Sequence, residues 1–379
     1  MAIALILSLL SALTLPLAVD NSVNRHFPDI IDKQGGSCAQ ASGIGYMFTY
    51  EINRLLDRDG KDKANQFSYL FTWNMLNDGI DQGGFVDEGI GIAVKYGVMT
   101  VNDYGPSYTG YRFGWPSGYE KYLNATRYRA RRKLEFDTST PEGIDNLKRH
   151  LYGDGTRPGG VVTFSGQSTG WKMDNDYSGP SLTGYKSIML RVATDGSHAM
   201  TIVGYDDTVE CTDAYGHQCH GAFIVVNSWG RYSHDNGHYY LPYDFLLHPE
   251  WHPSTLSLSP KMTGVEVYTT EPLLSYRVKV DYTSRNDLRI IYGTSAQRDA
   301  TQPERSQGIG IMYNQGGDYP MQGAWTASSE LEFAIDATEM AAKDETKRLF
   351  LNVHRMKWGK TKGEGRLIEF SIVDKRPGR

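Results

Sequence analysis

The chain has 379 residues, of which 40% are hydrophobic and 22% charged, and its formal net charge at pH 7 is −5. This length allows two or three domains, and the composition is that of a soluble globular protein. The negative balance argues against a nucleic-acid partner, because phosphate binding requires clustered positive charge. The basic run Arg127–Lys133 is interpreted as a solvated face of a strand or loop.

The N-terminal residues Ala2–Val19 are almost continuously apolar and are followed by polar Asp20, Asn21 and Ser22. This pattern is typical of the core of a secretory signal peptide. A single membrane anchor is the alternative, because the stretch is about the minimum length that spans a bilayer. Either interpretation places the remaining chain outside the cytoplasm, as a secreted, periplasmic or cell-surface protein. Residues 1–19 are therefore expected to lie outside the fold.

The first third of the folded chain has helical periodicity. A helix is predicted over Ala39–Arg58, with Ser37 as its N-cap just ahead of Cys38. Its apolar residues recur at helical spacing: Ile44, Met47, Phe48, Ile52 and Leu55. Two further helices are predicted over Val86–Gly97 and Pro141–Gly153, the second with Ser139 or Thr140 as its cap.

Strand patterns begin after Gly155. The runs 159–164, 198–207 and 221–230 are rich in β-branched and aromatic residues and are bounded by Gly or Asp. A helix-rich segment followed by a strand-rich one predicts two lobes, with any active site in the cleft between them.

A different pattern follows the Pro- and Ser-rich stretch 251–261. Apolar and polar residues alternate over 276–282, 331–336 and 368–372, which predicts strands with one buried face. These strands predict a β-sandwich that occupies residues 256–379. Because it has its own strand patterns behind a linker, this domain is expected to fold separately. A chain ending near His252 is then expected to stay soluble and to retain some activity.

The chain contains three cysteines, Cys38, Cys211 and Cys219. In an oxidising compartment the simplest pairing is a hairpin disulfide between Cys211 and Cys219, which leaves Cys38 alone. Free thiols are one alternative for the pair. A metal site with His217 and His220 is another, although the spacing fits no common zinc finger.

Cys38 follows a glycine pair and precedes a helix, so it is a packing residue, half of a disulfide, a metal ligand or a nucleophile. The N-terminal end of a helix favours negative charge, which lowers the pKa of a thiol and makes it a nucleophile. Taken alone, this position is interpreted by default as a buried structural cysteine. A nucleophilic thiol needs a base and a group that orients the base. His198 begins one apolar strand and Asn227 ends another, followed by Trp229.

Taken together, the segments QGGSCAQAS, SHAMTIVGYD and NSWG resemble those of papain-like cysteine peptidases, in the same order along the chain. The segment DQGGFVDEG is similar to the family's glycine pair, which binds the substrate backbone. The resemblance extends from about Phe27 to Leu247. It implies an α+β fold in which a helical lobe and a β-barrel-like lobe occupy residues 20–255, followed by the β-sandwich.

The resemblance also implies a role for each matching residue. Cys38 matches the nucleophile, His198 the base, Asn227 the group that orients the base, and Trp229 the ring that covers their contact. Gln34 matches the glutamine whose amide, together with the Cys38 backbone N–H, stabilises the oxyanion. No metal and no organic cofactor are implied.

Substrate contacts are implied in the same way. Gly83 and Gly84 match the glycine pair. The pocket for the second residue before the cut would be lined by Phe85 and Val86 on one side and by Gly196 and Ala199 on the other. Its floor is placed near Phe245. Since none of these residues is charged, apolar substrate side chains are expected there.

The leading hypothesis is therefore an exported, monomeric cysteine peptidase that acts on proteins or peptides through a thioester. The first alternative is a catalytically idle scaffold that binds a protein or a glycan through its β-sandwich. The second is a non-peptidase acyl transfer that uses the same three residues.

Overall fold

The computed structural model describes residues 14–105, 114–252, 254, 257–309, 316–323, 326–342, 348–356 and 363–377. Within these residues the fold is α+β, as predicted. The helices are α1 Cys38–Gln40, α2 Thr49–Leu56, α3 Tyr69–Leu76, α4 Val86–Lys95, α5 Val101–Tyr104, α6 Tyr119–Ala125, α7 Pro141–Tyr152, α8 Asp244–Leu247 and α9 Thr338–Ala342. A π-helix, Ala41–Phe48, joins α1 to α2, and 3-10 turns cover Asn21–Val23, Lys63–Asn65 and Pro249–Trp251.

The strands are β1 Ala18–Asp20, β2 Tyr128–Asp137, β3 Val162–Gly166, β4 Lys172–Asp174, β5 Ile188–Arg191, β6 His198–Thr212, β7 Gln218–Val226, β8 His238–Pro242, β9 Lys261–Thr269, β10 Leu274–Tyr282, β11 Leu288–Ser295, β12 Arg305–Gly308, β13 Glu330–Asp336, β14 Arg348–Arg355 and β15 Gly365–Asp374. They form one nine-stranded sheet and two three-stranded sheets.

The predicted first helix is present and begins at Cys38. Four of its predicted apolar positions are at most 1% exposed, namely Ile44, Met47, Phe48 and Ile52, whereas Leu55 is exposed. The helix ends at Asp57, which has left-handed φ and ψ angles. Ser37 precedes the helix as predicted but does not cap it, because its hydroxyl donates instead to the Gln34 carbonyl.

The large sheet has the strand order β2-β9-β3-β6-β7-β8-β5-β4, and β1 pairs with β6. Strands β6 and β7 are antiparallel, with Thr201 opposite Val226. The beginning of β6 therefore lies beside the end of β7. This pairing brings His198, the first residue of β6, to the same edge of the sheet as Asn227, which follows β7.

The N-terminal boundary lies earlier than the sequence predicts. Ala18, Val19 and Asp20 form β1 and pair with Asp206, Tyr205 and Gly204. The expected boundary between residues 19 and 20 thus falls inside a strand of the large sheet. The earlier part of the apolar stretch, up to residue 13, lies outside the described residues. Among the described residues, no helix has the length and apolar character needed to cross a membrane.

The second domain boundary also differs from the expected one at residues 255/256. Strand β9 lies beyond that boundary but belongs to the large sheet, where it pairs with β2 over nine residues and contacts β3 at Thr163. The sandwich therefore begins only at β10. Its two sheets have the orders β13-β10-β15 and β12-β11-β14. The three strands predicted from alternation are β10, β13 and β15, which together form the first of these sheets.

The sandwich does not stand apart from the helical lobe. One continuous hydrophobic core contains Phe71 and Tyr122 from the helical lobe together with Tyr276 and Phe333 from the sandwich. A buried ion pair joins Arg129 of β2 to Asp336 of β13 at 2.7 Å, with both side chains less than a tenth exposed. Because the two units bury apolar surface against each other, this interface argues against a separately folding domain.

Further contacts fix this interface. The Arg285 guanidinium lies 4.2 Å from the centre of the Trp115 ring, and the Trp115 indole N–H donates to the Asn74 carbonyl at 2.8 Å. The Tyr319 hydroxyl donates to the Gly79 carbonyl at 3.0 Å. These contacts attach the sandwich to α3 and the loop that follows it.

The predicted hairpin between β6 and β7 is present, and Cys211 lies directly opposite Cys219. The predicted disulfide between them is absent, because Cys211 and Cys219 are free thiols, as is Cys38. Interaction with the Cys211 thiol and burial raise the pKa of Cys219. The Cys219 thiol is therefore a poor nucleophile in disulfide exchange.

We predict that a chain ending at residue 252 will be insoluble, because β9 is lost from between β2 and β3. A chain ending at residue 270 keeps β9 but exposes the apolar face formed by Phe71 and Tyr122. It should aggregate or melt well below the full-length protein. Soluble yield and thermal unfolding, measured in parallel with the intact chain, test this prediction.

Two point variants provide a matched control. Phe333→Ala, in the shared core, should lower the free energy of unfolding by about 3–5 kcal/mol. Leu367→Ala, on the same sandwich but 43% exposed, should lower it by less than about 1 kcal/mol. Equal effects of the two substitutions, or a 1–270 chain as stable as the full chain, would contradict the shared core.

Candidate active site

The glycine pair before Cys38 shapes a tight turn. The Ser37 N–H donates to the Gln34 carbonyl at 3.2 Å, and Gly35 has a φ of 51°. A Cβ atom on Gly36 would lie 2.5 Å from the carbonyl carbon of Gln82, so only glycine allows this approach. The pair therefore folds Gln34 back towards Cys38 and brings the 82–84 backbone beside the turn.

This turn is attached to the segment that carries Asn227. The Lys33 N–H donates to the Ser228 carbonyl at 2.8 Å, and the Gly230 N–H donates to the Ile31 carbonyl at 3.0 Å. One turn of helix beyond Cys38, the hydroxyls of Ser42 and Thr201 are 2.8 Å apart. Helix α1 consequently lies against the beginning of β6, where His198 is located.

His198 and Asn227 form a buried hydrogen bond, with His198 Nε2 2.8 Å from Asn227 Oδ1. The Ser228 N–H also donates to Oδ1, at 2.8 Å. Because an amide oxygen only accepts, the His198 ring carries its proton on Nε2 when neutral. Its Nδ1 is then unprotonated and available as a base.

Aromatic rings cover this contact. The Trp229 ring stacks on His198 with a centroid distance of 4.8 Å and an interplanar angle of 21°, and Trp171 packs on Trp229 at 5.2 Å. His198 is only 3% exposed. Burial disfavours the charged imidazolium and lowers the pKa of His198 to about 4.

Sequence reasoning missed His234. Its Nε2 lies 3.1 Å from Asn227 Nδ2, on the side of the amide opposite His198. Burial lowers the pKa of His234 to about 4. The only sequence signal was a histidine seven residues beyond Asn227 in a polar turn, and that spacing does not reveal a contact.

The structure also places the residues expected around the cleft. Gln34 is half-buried, and its carbonyl accepts from Ser37. Gly83 and Gly84 are exposed beside the turn, and a Cβ on Gly83 would meet nothing closer than the Gly36 carbonyl oxygen at 3.9 Å. The backbone of this wall is therefore open to a ligand.

The expected pocket is only partly assembled. Phe85 is 75% exposed, Val86 packs on Gly43 of the π-helix, and Ala199 is buried. Gly196 borders a cavity of about 400 Å³ whose lining is uncharged: Ser165, Gly166, Gln167, Gly196, Ser197, Leu258, Ser259 and Pro260. Phe245, near which the floor was predicted, is buried in the core of the large sheet and does not line this cavity.

The cavity lies next to the histidine, because Gly166 of β3 pairs with His198 of β6. The segment that closes it, Leu258–Pro260, precedes β9. Within the described ranges, no three His, Cys, Asp or Glu side chains are placed to hold a metal ion.

No family model matches the chain. A peptidase C1-like protein of Acanthamoeba polyphaga mimivirus, itself uncharacterized, is 25% identical over 223 residues, which is 56% of this chain and 63% of that protein. The chain thus matches less than two thirds of this curated relative. The relative is of the kind that the motifs indicated, so the resemblance to papain-like cysteine peptidases is confirmed.

Solved structures with a similar arrangement include three cysteine proteases or their proforms. Xylellain from Xylella fastidiosa is 18% identical, with a TM-score of 0.45, over 67% of this chain and 87% of that one. Procathepsin L 3 of Tenebrio molitor is 14% identical, with a TM-score of 0.44, over 67% and 71%. Procathepsin B of Trypanosoma congolense is 13% identical, with a TM-score of 0.43, over 68% and 79%. Similarities at this level say nothing about substrate.

We predict acid-sensitive stability from the burial of His198. Its pKa is about 4 in the fold and about 6.5 in an unfolded chain. Between these values the unfolded chain binds a proton that the folded protein does not. The contribution of His198 to the free energy of unfolding is therefore fully present above pH 6.5. It falls by about 3 kcal/mol as the pH decreases towards 4.

The measurement is urea unfolding between pH 4.5 and 6 in a Cys38→Ala background, which removes the Cys38 thiol as a second titrating group. Adding His198→Gln should reduce the slope of unfolding free energy against pH by about 1.4 kcal/mol per pH unit. The control is His220→Gln, whose side chain is 70% exposed, and it should leave the slope unchanged. An unchanged slope in the His198 variant would contradict the buried neutral ring.

Proposed function

We propose that the protein is a cysteine peptidase in which Cys38 is the nucleophile, His198 the general acid and base, and Asn227 the group that orients the histidine. The observation that carries the proposal is the buried His198–Asn227 hydrogen bond, located where helix α1 meets the beginning of β6. Asn227 orients the ring without adding a charge that would fix a proton on it.

In the first step the Cys38 sulfur attacks the carbonyl carbon of the substrate. A C–S bond forms, the carbonyl π bond becomes an oxyanion, and the thiol proton passes to Nδ1 of His198. The Cys38 backbone N–H and the side-chain amide of Gln34 would supply donors for that oxyanion. The turn between Gln34 and Ser37, which precedes Cys38, supports this role for Gln34.

In the second step the oxyanion collapses and the C–N bond breaks. The proton on Nδ1 of His198 passes to the departing amine, which leaves a thioester on Cys38. Water then attacks the thioester while the same nitrogen accepts its proton. The C–S bond breaks, the carboxylic acid product leaves, and the proton on Nδ1 returns to the Cys38 sulfur as the thiol. Because burial favours the neutral ring, the imidazolium forms only while negative charge is present opposite it.

The proposed substrates are proteins or peptides whose backbone passes the exposed Gly83–Gly84 wall. The side chain of the second residue before the cut would enter the cavity bordered by Gly196 and Leu258. Its lining is uncharged, so an ionic side chain would lose hydration without gaining a partner. This supports a preference for apolar residues at that subsite. Of the four lining residues that the sequence suggested, the cavity includes only Gly196.

Partner binding through the sandwich is a second candidate function. Strand β15 exposes Leu367, Ile368 and Phe370, each 40–43% accessible. A cavity of about 410 Å³ opens between the two sheets beside Leu367. These features favour a protein or glycan partner on this edge, and such binding is compatible with catalysis at Cys38. Acyl transfer to an amine uses the same thioester and differs only in the final acceptor.

We also propose export, on the basis of the apolar N-terminal segment. Any cleavage would have to precede Pro16, because the Pro16 carbonyl accepts a hydrogen bond from Tyr205 at 3.0 Å and the Leu17 carbonyl accepts from the Asp207 N–H at 2.8 Å. Cleavage after residue 19 would remove β1 from the sheet.

Substitution of the three proposed catalytic residues should give a graded loss of peptide hydrolysis. Cys38→Ala and His198→Ala should lower kcat by at least roughly 10⁴-fold, because each removes a reacting group. Asn227→Ala should cost less, roughly 10- to 100-fold, because Asn227 orients the base but transfers no proton. Initial rates on a peptide library, normalised by the concentration of folded protein, give the values.

Labelling by iodoacetamide near neutral pH separates the enzyme from an idle scaffold. Cys38 should react faster than Cys219, which is buried beside Cys211. An unlabelled Cys38, or a Cys38→Ala protein with wild-type turnover, would exclude the peptidase. The assigned roles would be contradicted if Asn227→Ala were inactive while His198→Ala remained active.

The subsite is tested by charge at Ser259, which borders the cavity and is half-buried. Ser259→Asp should raise kcat/KM for substrates with Arg or Lys at the second position before the cut by roughly 5-fold, and Ser259→Lys should do the same for Asp or Glu. Positional-scanning libraries provide the measurement, and the wild type should prefer Leu, Val, Phe or Tyr. Identical profiles for the two variants would show that this cavity is not the subsite.

A further inference from the structure

We propose that His234 is a positioning residue, which accepts a hydrogen bond from Asn227 Nδ2 and thereby keeps Asn227 Oδ1 directed at His198. The inference rests on the proposed function, since its effect on rate passes through the Asn227–His198 pair. His234 itself is not expected to touch the substrate.

An asparagine amide needs such a constraint because its two ends have almost the same shape. If the Asn227 amide rotated by 180°, its N–H₂ group would face the Nε2–H of His198, and two donors would meet. Three contacts oppose this rotation. His198 and Ser228 both place donors on Oδ1, and His234 places an acceptor on Nδ2 at 3.1 Å. His234 is the only one of the three that engages the nitrogen.

The backbone is bent to place this ring. His234 has a φ of 54°, in the left-handed region that is costly for a side chain other than Gly, Asn or Asp. The turn is held by the Gly237 N–H, which donates to the Ser233 carbonyl at 2.7 Å, and by the Asn227 N–H, which donates to the Gly237 carbonyl at 2.9 Å. A strained conformation tied back to Asn227 indicates that the position of His234 matters.

The surroundings of the ring keep it an acceptor. Trp171 and Tyr239 lie 5.8 Å and 5.0 Å away between centroids, and burial lowers the pKa of His234 to about 4. The titratable groups that face it are His198, across the amide, and Tyr239. The adjacent Asp235 directs its carboxylate away, to the Lys186 N–H at 2.8 Å. At neutral pH His234 is therefore uncharged, with Nε2 unprotonated towards Asn227.

Kinetics of three variants and one double variant test the proposal. His234→Ala should lower kcat roughly 5- to 10-fold, the worth of one hydrogen bond, and should leave KM within about 2-fold because no substrate contact is lost. His234→Gln, whose amide oxygen also accepts, should recover most of the loss. Adding His234→Ala to Asn227→Ala should cause no further decrease, because the residue acts through that amide. His220→Ala, an exposed histidine, should behave like the wild type.

Nitrogen-15 NMR of the histidine rings gives a readout that does not depend on turnover. In the folded protein at neutral pH, His234 should carry its proton on Nδ1 and His198 on Nε2. A protonated Nε2 on His234, wild-type kcat in His234→Ala, or additive losses in the double variant would each overturn the proposal. If Cys38→Ala retains full activity, the proposed function fails, while the tautomer of His234 still decides whether the contact exists.

Discussion

The side chain and backbone of Asn227 are the constraint on which the site depends. Asn227 is fully buried, and both polar atoms of its side chain have hydrogen-bond partners. The backbone carbonyl of Asn227 accepts a hydrogen bond from the Tyr46 hydroxyl at 3.0 Å, and that hydroxyl accepts one from the Ile31 N–H at 2.7 Å. One residue thus connects the helix that begins at Cys38, the segment leading to the Gln34 turn, and the strand that begins at His198.

The sandwich stabilises this arrangement from the opposite side of the helical lobe. Its apolar face and that of α3 and α6 form one core, and Arg129 contributes an ion pair with Asp336. Arg129 also donates to the Lys95 carbonyl at 2.8 Å, which ends α4. Helix α4 follows the Gly83–Gly84 wall. Removal of the sandwich would therefore destabilise the cleft in two ways, through loss of the contacts that hold α4 and through loss of apolar burial.

Local patterns determine much of what the sequence predicted correctly. Period-3.6 and period-2 alternation located the helix after Cys38 and strands β10, β13 and β15, because each pattern depends on neighbours a few residues away. Both domain boundaries were misplaced for the opposite reason. Strand β1 pairs with β6 and strand β9 with β2, each more than 120 residues away in the chain, and no local signal records such pairing.

The sequence by itself singled out Cys38, His198 and Asn227 in this order, because the short segments that contain them resemble those of papain-like cysteine peptidases and each segment consists of adjacent residues. Only the tertiary structure decided what surrounds them. The contact of His234 with Asn227, the cavity bordered by Leu258–Pro260 and the shared core with the sandwich join residues that are distant in the chain or lie in irregular turns. Such contacts depend on how the elements pack, and packing leaves no periodic trace in the sequence.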